Sequence, residues 1–230
     1  MNESLTKGIG HTEFKDSPVG KIPEGWEVKQ LNDLVEHFQN GYAFSSSGYQ
    51  SQGIPIISIV NISLEGKHQF DEKKEKKWRI DEGLSMKNFH VKEDDLIIAM
   101  TDVTPKMNMI GRGAIVNRKG LMLLNQRVGL IKTTKEINKR FLSFVFNSNS
   151  WRNYCKGMSG LGAQANLGTR EILAARISYP PLPEQQKITF ILSSIDNNIK
   201  AKQDRFQRIK FLKKSLMQDL LTGKVRVQVN

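Results

Sequence analysis

The chain has 230 residues, enough for one globular domain with its own core plus an extension. Its 35 Lys and Arg outnumber 23 Asp and Glu, and the resulting net charge of +12 favours a polyanionic partner. A single cysteine, Cys155, excludes an internal disulfide and any multi-cysteine metal site and suits a reducing compartment.

No apolar run approaches bilayer-spanning length, and the N-terminus lacks the basic-then-apolar pattern of a signal peptide, so a cytoplasmic location is expected. The positive charge is shared. Residues 184–230 carry ten Lys/Arg against four Asp/Glu, which leaves +6 for residues 1–183. A basic tail is therefore not its source.

In chain order, residues 1–20 are polar and Gly-containing and read as a flexible lead-in. A Pro/Gly turn at Ile22-Pro23-Glu24-Gly25 precedes Trp26, an aromatic suited to anchoring the first element. Leu31, Leu34, Val35 and Phe38 share one helical face, which predicts a short helix over 30–38, stopped by Asn40-Gly41. The β-branched run of 53–64 predicts a buried strand, as do 95–100, 113–117 and 121–133. A helix is expected over 139–154 and another over 169–174, followed by a last strand at 176–179.

Prolines 180, 181 and 183 mark a boundary. Beyond it, apolar residues recur in two sevenfold rows, Ile188, Ile195, Lys202, Ile209, Leu216 and Leu192, Ile199, Phe206, Lys213, Leu220, with Leu212 beside the second lysine. That is a heptad seam, the pattern of a helix packing on another long helix. From Glu184 to Leu221 it would run roughly 57 Å. The expected fold is α+β: a globular domain with a mixed β-sheet over 21–182, a long coiled-coil-forming helix over 183–223 and a tail over 224–230.

Catalytic patterns are weak. The cluster Gly157-Met158-Ser159-Gly160-Leu161-Gly162 lacks the following Gly-Lys-Ser/Thr of a phosphate loop. Tyr179-Pro180-Pro181-Leu182 lacks both ends of the Pro-Pro-aromatic motif of amino-methyltransferases. His11, His37, His68 and His90 have no metal-ligand spacing. The expectation is no catalytic, cofactor or metal site in this chain.

Binding chemistry is better represented. Lys73, Lys74, Lys76, Lys77 and Arg79 surround Trp78; they read either as a phosphate-neutralising patch or as a solvated loop. Lys106, Arg112, Arg118, Lys119 and Arg127 are interleaved with Asn108, Asn125 and Gln126. Arg can meet guanine, and Asn or Gln adenine, through paired hydrogen bonds, so Arg112, Asn125, Gln126 and Arg127 are candidate base contacts. A strand over 124–127 could equally turn Asn125 and Gln126 inward. Tyr42, in the Gly41–Ser47 loop, is either a core plug or a contact residue.

The order of segments is itself informative. Ile22-Pro23-Glu24-Gly25-Trp26 leads to Gly41–Phe44, Gly53-Ile54-Pro55-Ile56-Ile57, Val91–Ile98, Ile110-Gly111-Arg112-Gly113-Ala114 and Leu124-Asn125-Gln126-Arg127. It closes on Pro180-Pro181-Leu182-Pro183-Glu184-Gln185 and Leu220-Leu221-Thr222-Gly223. Over about residues 20–225 this series resembles the DNA-specificity subunit of type I restriction-modification enzymes.

The resemblance implies a non-catalytic component that directs methyltransferase subunits to a bipartite site on double-stranded DNA. S-adenosylmethionine would then be bound by the methyltransferase, and ATP and magnesium by a restriction subunit where present. Family members carry two recognition domains and two helices, whereas this chain has one of each, so it resembles a half-length form. A homodimer is expected, with Ile188, Leu192, Ile195, Ile199, Phe206, Ile209, Leu212, Leu216 and Leu220 at the dimer or methyltransferase interface. A stand-alone DNA-binding regulator and an oligomerisation scaffold are the alternatives.

Overall fold

The computed structural model describes residues 2–102, 104, 106–159 and 165–225. The chain divides into two compact units, 1–189 and 190–230, and the division falls inside the last helix.

The first unit opens with α1 (Asn2–Thr6), β1 (Phe14–Lys15), β2 (Ile22–Pro23), β3 (Glu27–Gln30), α2 (Leu31–Leu34) and β4 (Val35–Asn40). It continues with β5 (Tyr49–Gln50), β6 (Ile54–Ile57), β7 (Lys77–Trp78), α3 (Ile80–Ser85), β8 (His90–Val91), β9 (Leu96–Ala99), β10 (Thr101–Asp102) and β11 (Gly113–Ile115). Then come β12 (Met122–Leu124), β13 (Val128–Thr133), α4 (Lys139–Val145), α5 (Asn149–Met158), β14 (Ala165–Asn166), α6 (Thr169–Ala174) and β15 (Arg176–Tyr179). Helix α7 (Leu182–Leu221) is 40 residues long.

Two sheets carry the core. One is antiparallel, in the order β11-β9-β13-β4; the other is mixed, in the order β5-β7-β6-β12-β8, with β12 parallel to β6. Strand β9 lies between β11 and β13 and reads Leu-Ile-Ile-Ala, buried throughout, because both of its faces are covered. Ile57, Val91, Ile97, Met122, Leu124, Val128 and Leu130 form one apolar cluster drawn from both sheets. Trp26, Leu31 and Leu34 are fully buried, which accords with Trp26 as an early anchor.

Several elements differ from the sequence expectation. Residues 30–38 form only one helical turn before the chain becomes β4, which pairs along β13 from Asn40 to Val35. Leu31 and Leu34 keep their buried spacing, but a sheet ladder outweighs the weak helical preference of the residues that follow. The strand expected over 53–64 ends at Ile57, where a 3-10 turn covers Ile59–Asn61. There the Ser58 N–H donates to Asn61 Oδ1 at 2.8 Å.

The expected 121–133 strand is two strands in different sheets, joined by a corner at Asn125–Arg127. The expected 139–154 helix breaks between Phe146 and Ser148, where Ser148 Oγ caps α5 by accepting from Trp151 N–H. The polar lead-in holds α1 and β1, and Leu5 is buried. Helix α6 and strand β15 lie where the sequence places them.

Candidate nucleic-acid interface

The corner between β12 and β13 gathers four of the sequence candidates. Tyr42 N–H donates to the Leu124 carbonyl at 2.8 Å, and Gln126 N–H donates to the Tyr42 carbonyl at 2.9 Å. Asn125 N–H reaches the Ile57 carbonyl at 3.0 Å, and the Asn125 side chain accepts from Arg127 N–H at 3.3 Å. Gly41 permits this approach, since a Cβ there would strike the Asn125 carbonyl. Gln126 and Arg127 are exposed and Asn125 is half-buried, so the corner turns two of the three outward instead of into the core. Tyr42 serves both roles foreseen for it. It packs on Phe44 and Phe89 at 5.0 and 5.4 Å between ring centroids, yet remains exposed.

Beside this corner lies a groove of about 480 Å³, with Ile59–Val60, residues 62–65 and Gln69 on one side, Thr101, Asp102, Thr104 and Met109 on the other, and Arg127 on its wall. Asp102, buried, orders one side: its carboxylate accepts from Thr104 N–H at 2.7 Å and Met109 N–H at 2.5 Å. Burial opposes ionisation of Asp102, but the Met109 and Thr104 amides outweigh it and hold the carboxyl below its ordinary value of 3.8. Arg127 and Lys106 have no side-chain partner among the described residues.

Other candidates are engaged internally. Arg112 is half-buried; its Nε–H donates to the Asn108 carbonyl at 2.7 Å, and burial lowers its pKa. Its Nη1–H also reaches Asn147 Oδ1 at 3.4 Å. Arg118 pairs with Glu75 and lies 3.6 Å from the Phe70 ring centroid. Glu75, with a side chain only 4% exposed, also meets Lys77 at 3.7 Å.

Lys74 pairs with Asp71 at 3.5 Å, Arg79 with Glu82 at 3.8 Å, and Lys76 stands over the Tyr49 ring at 4.8 Å. Lys73 and Lys119 are exposed. The 73–79 patch thus neutralises part of its own charge, and its exposed ammonium groups remain available to phosphates.

Among the described residues, no group of three or more His, Cys, Asp or Glu could hold a metal ion. Three of the histidines have structural partners: His11 on Glu184, His68 on Asn117 and His90 on the Gly83 carbonyl. The Cys155 thiol is pushed up to about 12 by burial, which removes it as a nucleophile at neutral pH. Of the glycine cluster, residues 160–162 lie outside the described residues; 157 and 158 end α5. No helix among the described residues is long and apolar enough to cross a membrane.

Helix α7 begins on two engaged side chains. Glu184 accepts from Trp26 Nε1–H at 2.9 Å, and Gln185, fully buried, accepts from Asn138 N–H at 2.8 Å. Along the seam Ile188 and Leu192 are buried. Ile195, Ile199, Phe206, Ile209, Leu212, Leu216 and Leu220 are between 39% and 64% exposed.

A mixed-sheet domain whose loops present cations and amides, followed by a long helix with an uncovered heptad seam, matches one family. The chain belongs to the type I restriction modification DNA specificity domain family, whose model matches residues 23–210. It is 30% identical to the specificity subunit of the type I restriction enzyme MjaVIII of Methanocaldococcus jannaschii, over 99% of this chain and 53% of the relative. It is 26% identical to the EcoAI specificity subunit of Escherichia coli, over 79% of this chain and 29% of the relative.

Among solved structures, the HsdS subunit from Thermoanaerobacter tengcongensis shares the fold with a TM-score of 0.55 at 15% identity, covering 90% of this chain and 47% of that one. The type I restriction-modification S subunit from M. genitalium does so with a TM-score of 0.58 at 11% identity, covering 84% and 45%. The chain spans about half the length of the first curated relatives it matches.

Proposed function

We propose that this chain is the non-catalytic DNA-reading component of a type I restriction-modification complex. Its recognition domain reads one half of a bipartite site on double-stranded DNA, and it directs methyltransferase subunits there. The observation that carries this reading is the corner at Asn125–Arg127. There the backbone brings Tyr42, Gln126 and Arg127 to one exposed edge beside a groove, with the donor and acceptor types that base edges require. Exposed Lys73, Lys76, Lys106 and Lys119 supply sequence-independent attraction to phosphates.

S-adenosylmethionine belongs, on this reading, to the methyltransferase partner, and ATP and magnesium to a restriction subunit where one joins. The uncovered seam of α7 is assigned to a second copy of the chain, with methyltransferase subunits held at the same helices. Two identical domains related by a two-fold axis read identical half-sites in opposite orientation, so the target is palindromic and split by a spacer.

The test is co-expression with a cognate methyltransferase subunit, followed by sequencing of methylated sites. A split palindrome modified only when both chains are present is the expected outcome. A non-palindromic target would sink the homodimer. Purified chain that methylates or cuts DNA unaided would overturn the non-catalytic role.

A further inference from the structure

Val60 and Leu64 line the groove beside Arg127 and yet stand 67% and 51% exposed. Two aliphatic side chains on one solvent-facing wall contribute little to the core, and their placement is fixed rather than incidental. Asn61 Nδ2–H donates to the Gln69 carbonyl at 3.2 Å, and Gln69 Nε2–H donates to the Val60 carbonyl at 2.8 Å, so the two arms of the loop are tied across its base. Met109, half-buried, lines the same groove, its N–H held by Asp102. The groove therefore pairs a preorganised apolar wall with an uncommitted guanidinium.

We infer that Val60 and Leu64 pack on the C5-methyl group of a thymine in the major groove, while Arg127 meets a neighbouring base edge. Only an A·T pair presents a methyl group there, and an exposed aliphatic wall is the chemistry that distinguishes it; guanine O6 and N7 suit arginine. DNA is preferred to an apolar protein segment as the occupant by the charges around the groove. Arg127 lines the groove without a side-chain partner among the described residues, Asp102 is occupied by backbone amides, and Glu65 lies near the charges of Arg112 and Lys67. The inference rests on the DNA-reading role proposed above and adds the base class read at this groove.

The experiment starts from the methylated motif, identified in the complex of the full chain with its methyltransferase subunit. Each thymine of a half-site is replaced singly by deoxyuridine, which removes only the methyl group, and binding of the complex is measured. One or two positions should lose about fourfold in affinity, the value of one buried methyl-sized group. Val60→Ala and Leu64→Ala, both at exposed positions, should leave the melting temperature unchanged, weaken binding to the thymine duplex and abolish the thymine-over-uracil preference.

Equal binding to every substituted duplex overturns the inference, as does a half-site with no A·T pair or a preference that survives both variants. In each of these results the DNA-reading role stands. Variants that bind DNA normally but lose the methyltransferase subunit would make the groove a protein site. Failure of the complex to select any sequence removes the DNA-reading role itself, and the inference with it.

Discussion

Glu184 receives three groups from two remote parts of the chain. One carboxylate oxygen accepts the indole N–H of fully buried Trp26 at 2.9 Å; the other accepts Ile9 N–H at 3.2 Å and His11 Nε2–H at 2.8 Å. Gly8 makes the clasp possible, because at φ +69° a Cβ would stand 2.5 Å from the His11 ring and 2.6 Å from Glu184 Oε1. Replacing Glu184 by Ala leaves a buried indole donor unpaired and should cost about 1–3 kcal/mol in urea unfolding. Glu184→Gln keeps one acceptor and should cost less.

Asp102 offers a second residue-scale test, read through pH. Its carboxyl is held below 3.8 in the folded protein, so its stabilising contribution is complete above that value and disappears as pH falls through the lower folded value. Wild type should therefore be more stable than Asp102→Asn at pH 7, with the gap narrowing as pH falls below 3.8. A gap that widened on acidification would contradict the assignment.

At the scale of elements, the position of Gly41 against the β12–β13 corner carries the next prediction. Gly41→Ala drives a methyl group into the Asn125 carbonyl, so the corner must shift at a cost of about 1–3 kcal/mol. DNA affinity should fall with it, by about tenfold or more, the equivalent of one bidentate base contact. A band-shift titration beside a thermal melt separates the two effects.

This corner also marks where sequence reading stops. Both flanks, Met122–Leu124 and Val128–Ile131, are buried and apolar, and no Gly or Pro punctuates Asn125–Arg127, so the pattern reads as one strand. What divides it is pairing to different sheets, which depends on Ile57 and Tyr42, distant in sequence. The groove was hidden for the same reason, since Val60 and Leu64 prolong the isoleucine run of β6 and look buried until the Ser58–Asn61 turn lifts them out. By contrast α6 and β15 were legible because local signals bound them: Gly168 at the helix start and Pro180 after the strand. The seam of α7 was legible too, since its periodicity is internal to one helix. The cationic candidates were found by residue type, but their availability was not, because Arg112 and Arg118 are claimed by Asn108 and Glu75.

For the whole molecule the decisive question is what covers α7. From Ile195 onward the seam presents seven large apolar side chains, each at least 39% exposed; off the seam the helix is mostly charged or amidated, with Phe211, Met217 and Leu221 also exposed. Each such side chain buried fully against a partner is worth about 1.5–3 kcal/mol relative to leaving it in water, so even partial cover of the seam supplies a strong drive to associate. Lys202 and Lys213 interrupt the two rows but are exposed, and long lysine stems can lie along an apolar seam with the charge kept in solvent.

If a second copy provides the cover, wild-type chain sediments as a two-chain species. Ile199→Asp together with Ile209→Asp should then yield single chains, because pairing would bury four carboxylates along one seam. Gln207→Asp, outside both heptad rows, should leave the mass unchanged. Neither change touches the recognition domain's loops, so the double variant should keep its weak affinity for an isolated half-site. It should lose the preference for two half-sites at fixed spacing. Retention of the two-chain mass by the double variant would exclude the seam as the dimer interface, whatever the DNA result.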